Sequence, residues 1–146
     1  MKSILCIKMF FVVICSLSFT ASVFAQNAIE GMWFNEEKSA KIQIYKAKDN
    51  KYYGKIVWLK EPLRDGKPKT DLENPDPRKR TQPIIGLTIL RGFVKDDEEY
   101  EGGTIYDPKN GKTYSCKIKH RGNTLDVRGY VGISLIGRTT TWTRAL

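Results

Sequence analysis

Hydrophobic and polar residues alternate with a period of two along most of this chain, and that period predicts strands rather than helices. In Lys41-Ile42-Gln43-Ile44-Tyr45 the two isoleucines share one face and polar side chains the other, the pattern of a half-buried strand. Lys48-Asp49-Asn50 supplies turn residues, and the aromatic and β-branched stretch from Tyr52 to Leu59 forms the second arm of a hairpin. Ile84 to Val94 is apolar enough for a further strand or a short strand with a helical turn, with a start blurred by Pro83 and Gly86. Tyr100 to Tyr106 and Thr113 to Lys119 flank Asp107-Pro108-Lys109-Asn110-Gly111, a strong hairpin turn because proline fixes φ and Asn-Gly tolerates positive φ. The turn Arg121-Gly122-Asn123, the strand Thr124 to Val131 and the strand Gly137 to Arg144 complete the series.

No segment sustains a helical period, so the fold class is all-β: an antiparallel up-and-down meander of about seven to eight strands. Closing such a meander into a barrel, wholly or nearly, removes the exposed edges that would otherwise template aggregation. Gly31-Met32-Trp33 near the start and Trp142-Thr143-Arg144 at the end support closure, because an arginine on the last strand can stack on the indole of the first. Such a contact is worth roughly 0.5 to 2 kcal/mol. A barrel of this size is either filled by its own side chains or holds one small ligand, and the pattern fits both.

One segment breaks the rhythm. Glu61 to Pro83 contains Pro62, Pro68, Pro75, Pro77 and Pro83 among dense mixed charge, and prolines cannot occupy central ladder positions. It reads as a long loop, serving as a lid over the barrel mouth or as a surface for a protein partner in the envelope. Its acidic trio Asp71, Glu73 and Asp76 lacks the ligand spacing and central glycine of a calcium loop, and Asn74-Pro75-Asp76-Pro77 reads as consecutive Asx-initiated turns. No metal is expected.

The start of the chain is an address. Lys2 and Lys8, the apolar run Met9 to Leu17 and the small-residue boundary Val23-Phe24-Ala25 form a secretory signal over residues 1–25, with export to the periplasm or beyond. The run is shorter than the roughly 20 residues of a membrane-spanning helix. Residues 26–146 then form a single domain. The net charge of +9 over 146 residues stays strongly positive after Lys2 and Lys8 are removed. Cys6 and Cys15 leave with the signal, so Cys116 remains alone and no internal disulfide is expected. Cys116 alternates with Tyr114 and Ile118, which predicts a buried, inert thiol.

No catalytic constellation emerges, and the chain is expected to be neither an enzyme nor a cofactor carrier. His120 is the only histidine. It lies four residues from Cys116, or about 13 Å along a strand, too far for a thiolate–imidazole pair. Asp96-Asp97-Glu98-Glu99 reads as a solvated turn. The positive charge is spread along the chain, densest at Arg78-Lys79-Arg80, with no stripe of phosphate contacts. A nucleic-acid partner is therefore not expected, whereas small anionic or amphipathic molecules outside the cytoplasm are natural ones.

Five strings carry a resemblance: Asp71-Leu72-Glu73-Asn74-Pro75-Asp76-Pro77-Arg78, Gly102-Gly103-Thr104-Ile105-Tyr106-Asp107-Pro108, Gly111-Lys112-Thr113-Tyr114, Arg128-Gly129-Tyr130 and Trp142-Thr143-Arg144. They resemble the small secreted bacterial proteins of the domain-of-unknown-function family numbered 2147. That family is similar in turn to the calycins, the lipocalin and fatty-acid-binding-protein group, whose barrels begin with Gly-x-Trp and end with a basic residue crossing that tryptophan. The resemblance implies structural closure by Gly31, Trp33 and Arg144. It also implies an Arg-x-Tyr grip on a ligand carboxylate, here Arg128 and Tyr130, joined by Arg138; Trp58 completes the candidate ligand-binding residues. Leu125 and Val127 look like the interior face of the same strand, so Arg128 and Tyr130 face inward only if a bulge at Gly129 shifts the register. Two functions follow: an exported barrel binding a small apolar or amphipathic anion, or a non-catalytic envelope interaction module with a filled barrel.

Overall fold

The computed structural model describes residues 28–146, and the secretory signal expected over residues 1–25 lies outside them. The strands are β1 (Gly31–Phe34), β2 (Ala40–Lys46), β3 (Tyr52–Leu59), β4 (Leu63–Arg64), β5 (Lys67–Pro68), β6 (Thr88–Asp96), β7 (Glu99–Asp107), β8 (Lys112–Arg121), β9 (Thr124–Tyr130) and β10 (Gly137–Arg144). Eight of them close into an antiparallel barrel in the order β1-β10-β9-β8-β7-β6-β3-β2, while β4 and β5 pair separately. Closure falls between the first and last strands, at Trp33↔Arg144 and Phe34↔Thr143. The up-and-down path sends the connections after β1, β3, β7 and β9 to one end, the loop end. Those after β2, β6 and β8 lie at the other, together with Ala28 to Glu30.

Alternation dictates the core. Trp33, Ile42, Ile44, Ile56, Tyr100, Cys116, Ile118, Leu125, Val127 and Trp142 point inward and are buried. Two of the register slips decide which of the large side chains face inward. Leu90 and Phe93 are three apart on β6 yet both buried, because Gly92 takes φ +75° and the register slips between Tyr52↔Phe93 and Gly54↔Leu90. The second slip, between Lys41 and Ile42, pairs Lys41 with Trp58 and Ile42 with Ile56.

Packing is tight where β6 meets its two neighbouring strands. Cβ atoms added at Gly54 and Gly103 would sit 2.7 Å from the Leu90 side chain and 2.5 Å from the Phe93 ring, so those strands carry glycine where a bulky neighbour crosses. Trp33, Leu90, Cys116 and Leu125 have no accessible surface at all, which leaves no water-sized space beside them.

The proline-rich connection is ordered. Thr70 bridges Pro83, and backbone bonds run from Asp71 N to Gln82 O and from Ile84 N to Lys69 O, each at 2.9 Å. Asn74 Oδ1 accepts from Asp76 N (2.9 Å), and the Asp76 carboxylate accepts from Arg78 N to open a 3₁₀ turn at Pro77–Lys79. These are the Asx turns expected from Asn74-Pro75-Asp76-Pro77, with Pro77 at the position where its missing N–H costs nothing.

Candidate functional site

The closed end is built by the bracketing residues. The Arg144 guanidinium lies 4.1 Å from the Trp33 ring centroid and donates to the carbonyls of Glu30 (3.2 Å) and Ala28 (2.9 Å). Trp33 Nε1 donates to Ile29 O at 2.7 Å, which pins the fully buried Ile29. Gly31 stands at φ +129°, and a Cβ there would lie 2.8 Å from Arg144 Nη1, so only glycine lets the arginine across. Gly31, Trp33 and Arg144 thus meet at the seam, as the resemblance implied. His120 belongs to this end too: its ring stands edge-on to Trp33 at 6.0 Å and Nε2 donates to Gly122 O at 2.8 Å.

Midway along the barrel, burial pushes the Cys116 thiol up to about 12, far from any nucleophilic range. The buried Ile118 separates Cys116 from His120 along β8, so the two do not form a pair.

Polar chemistry concentrates at the loop end. Asp71 is fully buried and accepts from Tyr106 Oη (2.8 Å) and Asn74 Nδ2 (2.7 Å). Burial, and then the bond to Asp71, push the Tyr106 phenol up to about 12. Arg80 Nε donates to Asn74 O at 2.8 Å, and Gly111, at φ +70°, packs against the Glu73 carbonyl. The long connection is thereby bolted to the β7–β8 hairpin through a carboxylate that has its donors inside the protein. Two more ties join the β1–β2 turn to its surroundings. Lys109 Nζ lies 3.0 Å from Glu37 Oε2 and holds that carboxyl below its usual range, and Glu36 Oε1 accepts from Thr141 N at 3.1 Å. Among the described residues no three of His, Cys, Asp and Glu converge as a metal site, and Asp76 is committed to Arg78.

The four candidate ligand-binding residues are not brought together. Register through β9 is unbroken, with Val127↔Ile118, Arg128↔Lys117 and Gly129↔Cys116, so Arg128 and Tyr130 stand on the outer face. The inward Arg-x-Tyr grip is corrected accordingly: no bulge occurs at Gly129, whose Cβ position lies 3.5 Å from Ile105 and 3.7 Å from Tyr114 inside the barrel. Arg128 instead clasps the β9–β10 loop, donating from Nε to Ser134 O (2.6 Å), Nη2 to Leu135 O (3.2 Å) and Nη1 to Thr139 Oγ1 (2.8 Å). Arg138, opposite Gly129, shares the inward register of Thr140 and Trp142 but sits at the rim, where its side chain is exposed 3.9 Å from Glu36. Trp58 lies outside as well, edge-on to Phe34 at 6.1 Å with Lys41 Nζ 5.4 Å from its ring centroid. The buried Asp71 and the half-buried Tyr106 form a pair that sequence reasoning missed; their signal lay in two of the strings that carried the resemblance.

A closed eight-stranded up-and-down barrel, begun by Gly-x-Trp and sealed by an arginine on that indole, defines the lipocalin-like class. A structure described as protein HP1028 from the human pathogen Helicobacter pylori, belonging to the lipocalin family, is similar with a TM-score of 0.72 and 25% identity over 82% of this chain and 84% of that one. Within this class the chain belongs to the family of uncharacterized proteins conserved in bacteria designated DUF2147, whose profile matches residues 31–144. No curated protein matches the sequence.

Proposed function

We propose that this protein is an exported, non-catalytic binding module that works through the loop end of its barrel and keeps an interior occupied by its own side chains. The observation that supports the reading is the burial of the inward side chains, with Trp33, Leu90, Phe93, Tyr100, Ile118 and Leu125 from five different strands all at most 1% exposed. Export rests on the Lys2 to Ala25 segment. The surfaces available for binding are the long connection held by Asp71 and the loop held by Arg128.

A second reading, a small apolar or amphipathic anion inside the barrel, draws on the likeness to the Helicobacter pylori lipocalin-family protein. The two separate cleanly. A ligand at a hundredfold excess over its dissociation constant adds about 2.7 kcal/mol of stability. We expect no such gain with long-chain fatty acids or lysophospholipids, and an apo mass in native mass spectrometry of protein purified from its own envelope. A stoichiometric adduct that survives this preparation and raises Tm would replace the first reading with the second.

A further inference from the structure

The β9–β10 loop, Val131-Gly132-Ile133-Ser134-Leu135-Ile136, is the most apolar exposed segment among the described residues. Its aliphatic residues are 74% (Val131), 58% (Ile133), 85% (Leu135) and 73% (Ile136) exposed. Four exposed aliphatic side chains in six positions form the kind of contiguous apolar surface that marks an interaction site. Its backbone is prepared for an apolar setting. Arg128 donates to the carbonyls of Ser134 and Leu135, and Ile136 N donates to Ile133 O at 3.2 Å. Such internal pairing is what chain needs on leaving water, because an unpartnered carbonyl there costs several kcal/mol.

Arginines flank the loop on both sides in the sequence, Arg128 before it and Arg138 after it. The neighbouring acids of the β1–β2 turn are engaged, Glu36 by Thr141 N and Glu37 by Lys109. Arg138 leaves the loop with 82% of its side chain exposed, and its 3.9 Å contact with Glu36 is too weak and open to bind it tightly. Aliphatic residues at a tip and an exposed arginine at its base match the two layers of a bilayer surface, acyl chains beneath phosphate head groups.

We propose that Val131 to Ile136 is a membrane-docking loop that seats the loop end of the barrel on a bilayer bearing anionic phospholipids, with Arg138 at the head-group level. This rests on the reading of the loop end as the binding surface. It assigns Arg128 a positioning role: the guanidinium holds the loop carbonyls so that the aliphatic side chains face outward.

The test is co-sedimentation of the chain beginning at Gln26, which keeps every strand and removes the apolar run of residues 9–17, with vesicles of phosphatidylcholine alone or with 30 mol% phosphatidylglycerol (roughly the charge density such docking requires). Binding is expected to the anionic vesicles and to weaken in high salt. The Leu135→Ser/Ile136→Ser double variant should lower partitioning at least about tenfold. Arg138→Gln should lower it about fivefold on anionic vesicles only. Val131→Ser/Ile133→Ser gives a second, independent removal if the first variant loses its circular dichroism spectrum. The proposal is overturned by a wild-type chain that stays in the supernatant, by serine variants that bind as well as wild type, or by a concentration-dependent dimer that the serine variants abolish. A lipid found inside the barrel by native mass spectrometry would count against the filled interior and leave this test standing.

Discussion

Three glycines at the residue scale separate conformational from packing demands. Gly31 combines a positive φ with the Arg144 guanidinium at 2.8 Å, so Gly31→Ala displaces the arginine from Trp33. We expect a loss of about 1 to 3 kcal/mol in urea denaturation, and a similar loss for Arg144→Ala, which removes the ring contact and two carbonyl bonds together. Gly103 and Gly129 are both inward and neither needs a positive φ, yet they differ in room. At Gly103 the added methyl meets the Phe93 ring at 2.5 Å, whereas at Gly129 its nearest neighbour is at 3.5 Å. Gly103→Ala should cost about 1 to 3 kcal/mol by overpacking, and Gly129→Ala should stay within about 0.5 kcal/mol of wild type. Equal losses at both positions would show that the barrel is not packed as described. Cys116 adds a dependence on pH. Its thiol ionises at about 12 when folded and near 8.5 when unfolded, so the unfolded state releases the proton first as pH rises. Stability should therefore be unaffected below about pH 8 and fall steadily from there toward pH 12, by up to about 1.4 kcal/mol per pH unit from this group. Tyr106 adds to the upper part of that window, and Cys116→Ala should flatten the fall.

Bulges and the long connection carry the information at the scale of elements. Strand positions and turns were legible because period-two alternation and Asp-Pro-x-Asn-Gly chemistry are local. The face taken by Trp58 was not, since a single register slip at Lys41/Ile42 turns it from the inner face, where alternation from Tyr52, Gly54 and Ile56 would put it, to the outer. Arg128 was open to two readings for the same reason, and only the cross-strand register settled that Gly129 carries no bulge. The order of the proline-rich connection depends on a tertiary partner 35 residues away, the Tyr106 hydroxyl on Asp71. Tyr106→Phe leaves the buried carboxylate one donor short, at a cost of about 1 to 3 kcal/mol. Most of that should appear as loop opening: trypsin is expected to cut at Lys79 or Arg80 several times faster in the variant, while far-ultraviolet circular dichroism of the barrel stays unchanged. Cleavage at the wild-type rate would mean that the turns alone order the connection.

For the molecule as a whole, fold and class were readable where function was not, because closure by Gly31, Trp33 and Arg144 is written in three residues and the contents of a barrel are written in none. Whether the interior is a pocket or a core depends on which strands kink, and here Gly92 swings Phe93 inward over Gly103. That single side chain gives the decisive prediction. If the interior is filled as proposed, removing it should create a dry apolar cavity: Phe93→Ala is expected to lose about 3 to 5 kcal/mol. A small apolar molecule such as benzene should then bind the variant and recover part of the lost stability, while leaving the wild type unaffected. Calorimetric melting of both proteins with and without benzene checks this. Stabilisation of the wild type by the same probe would mean that a cavity exists without the mutation, and the loop end would no longer be the only surface with a claim to function.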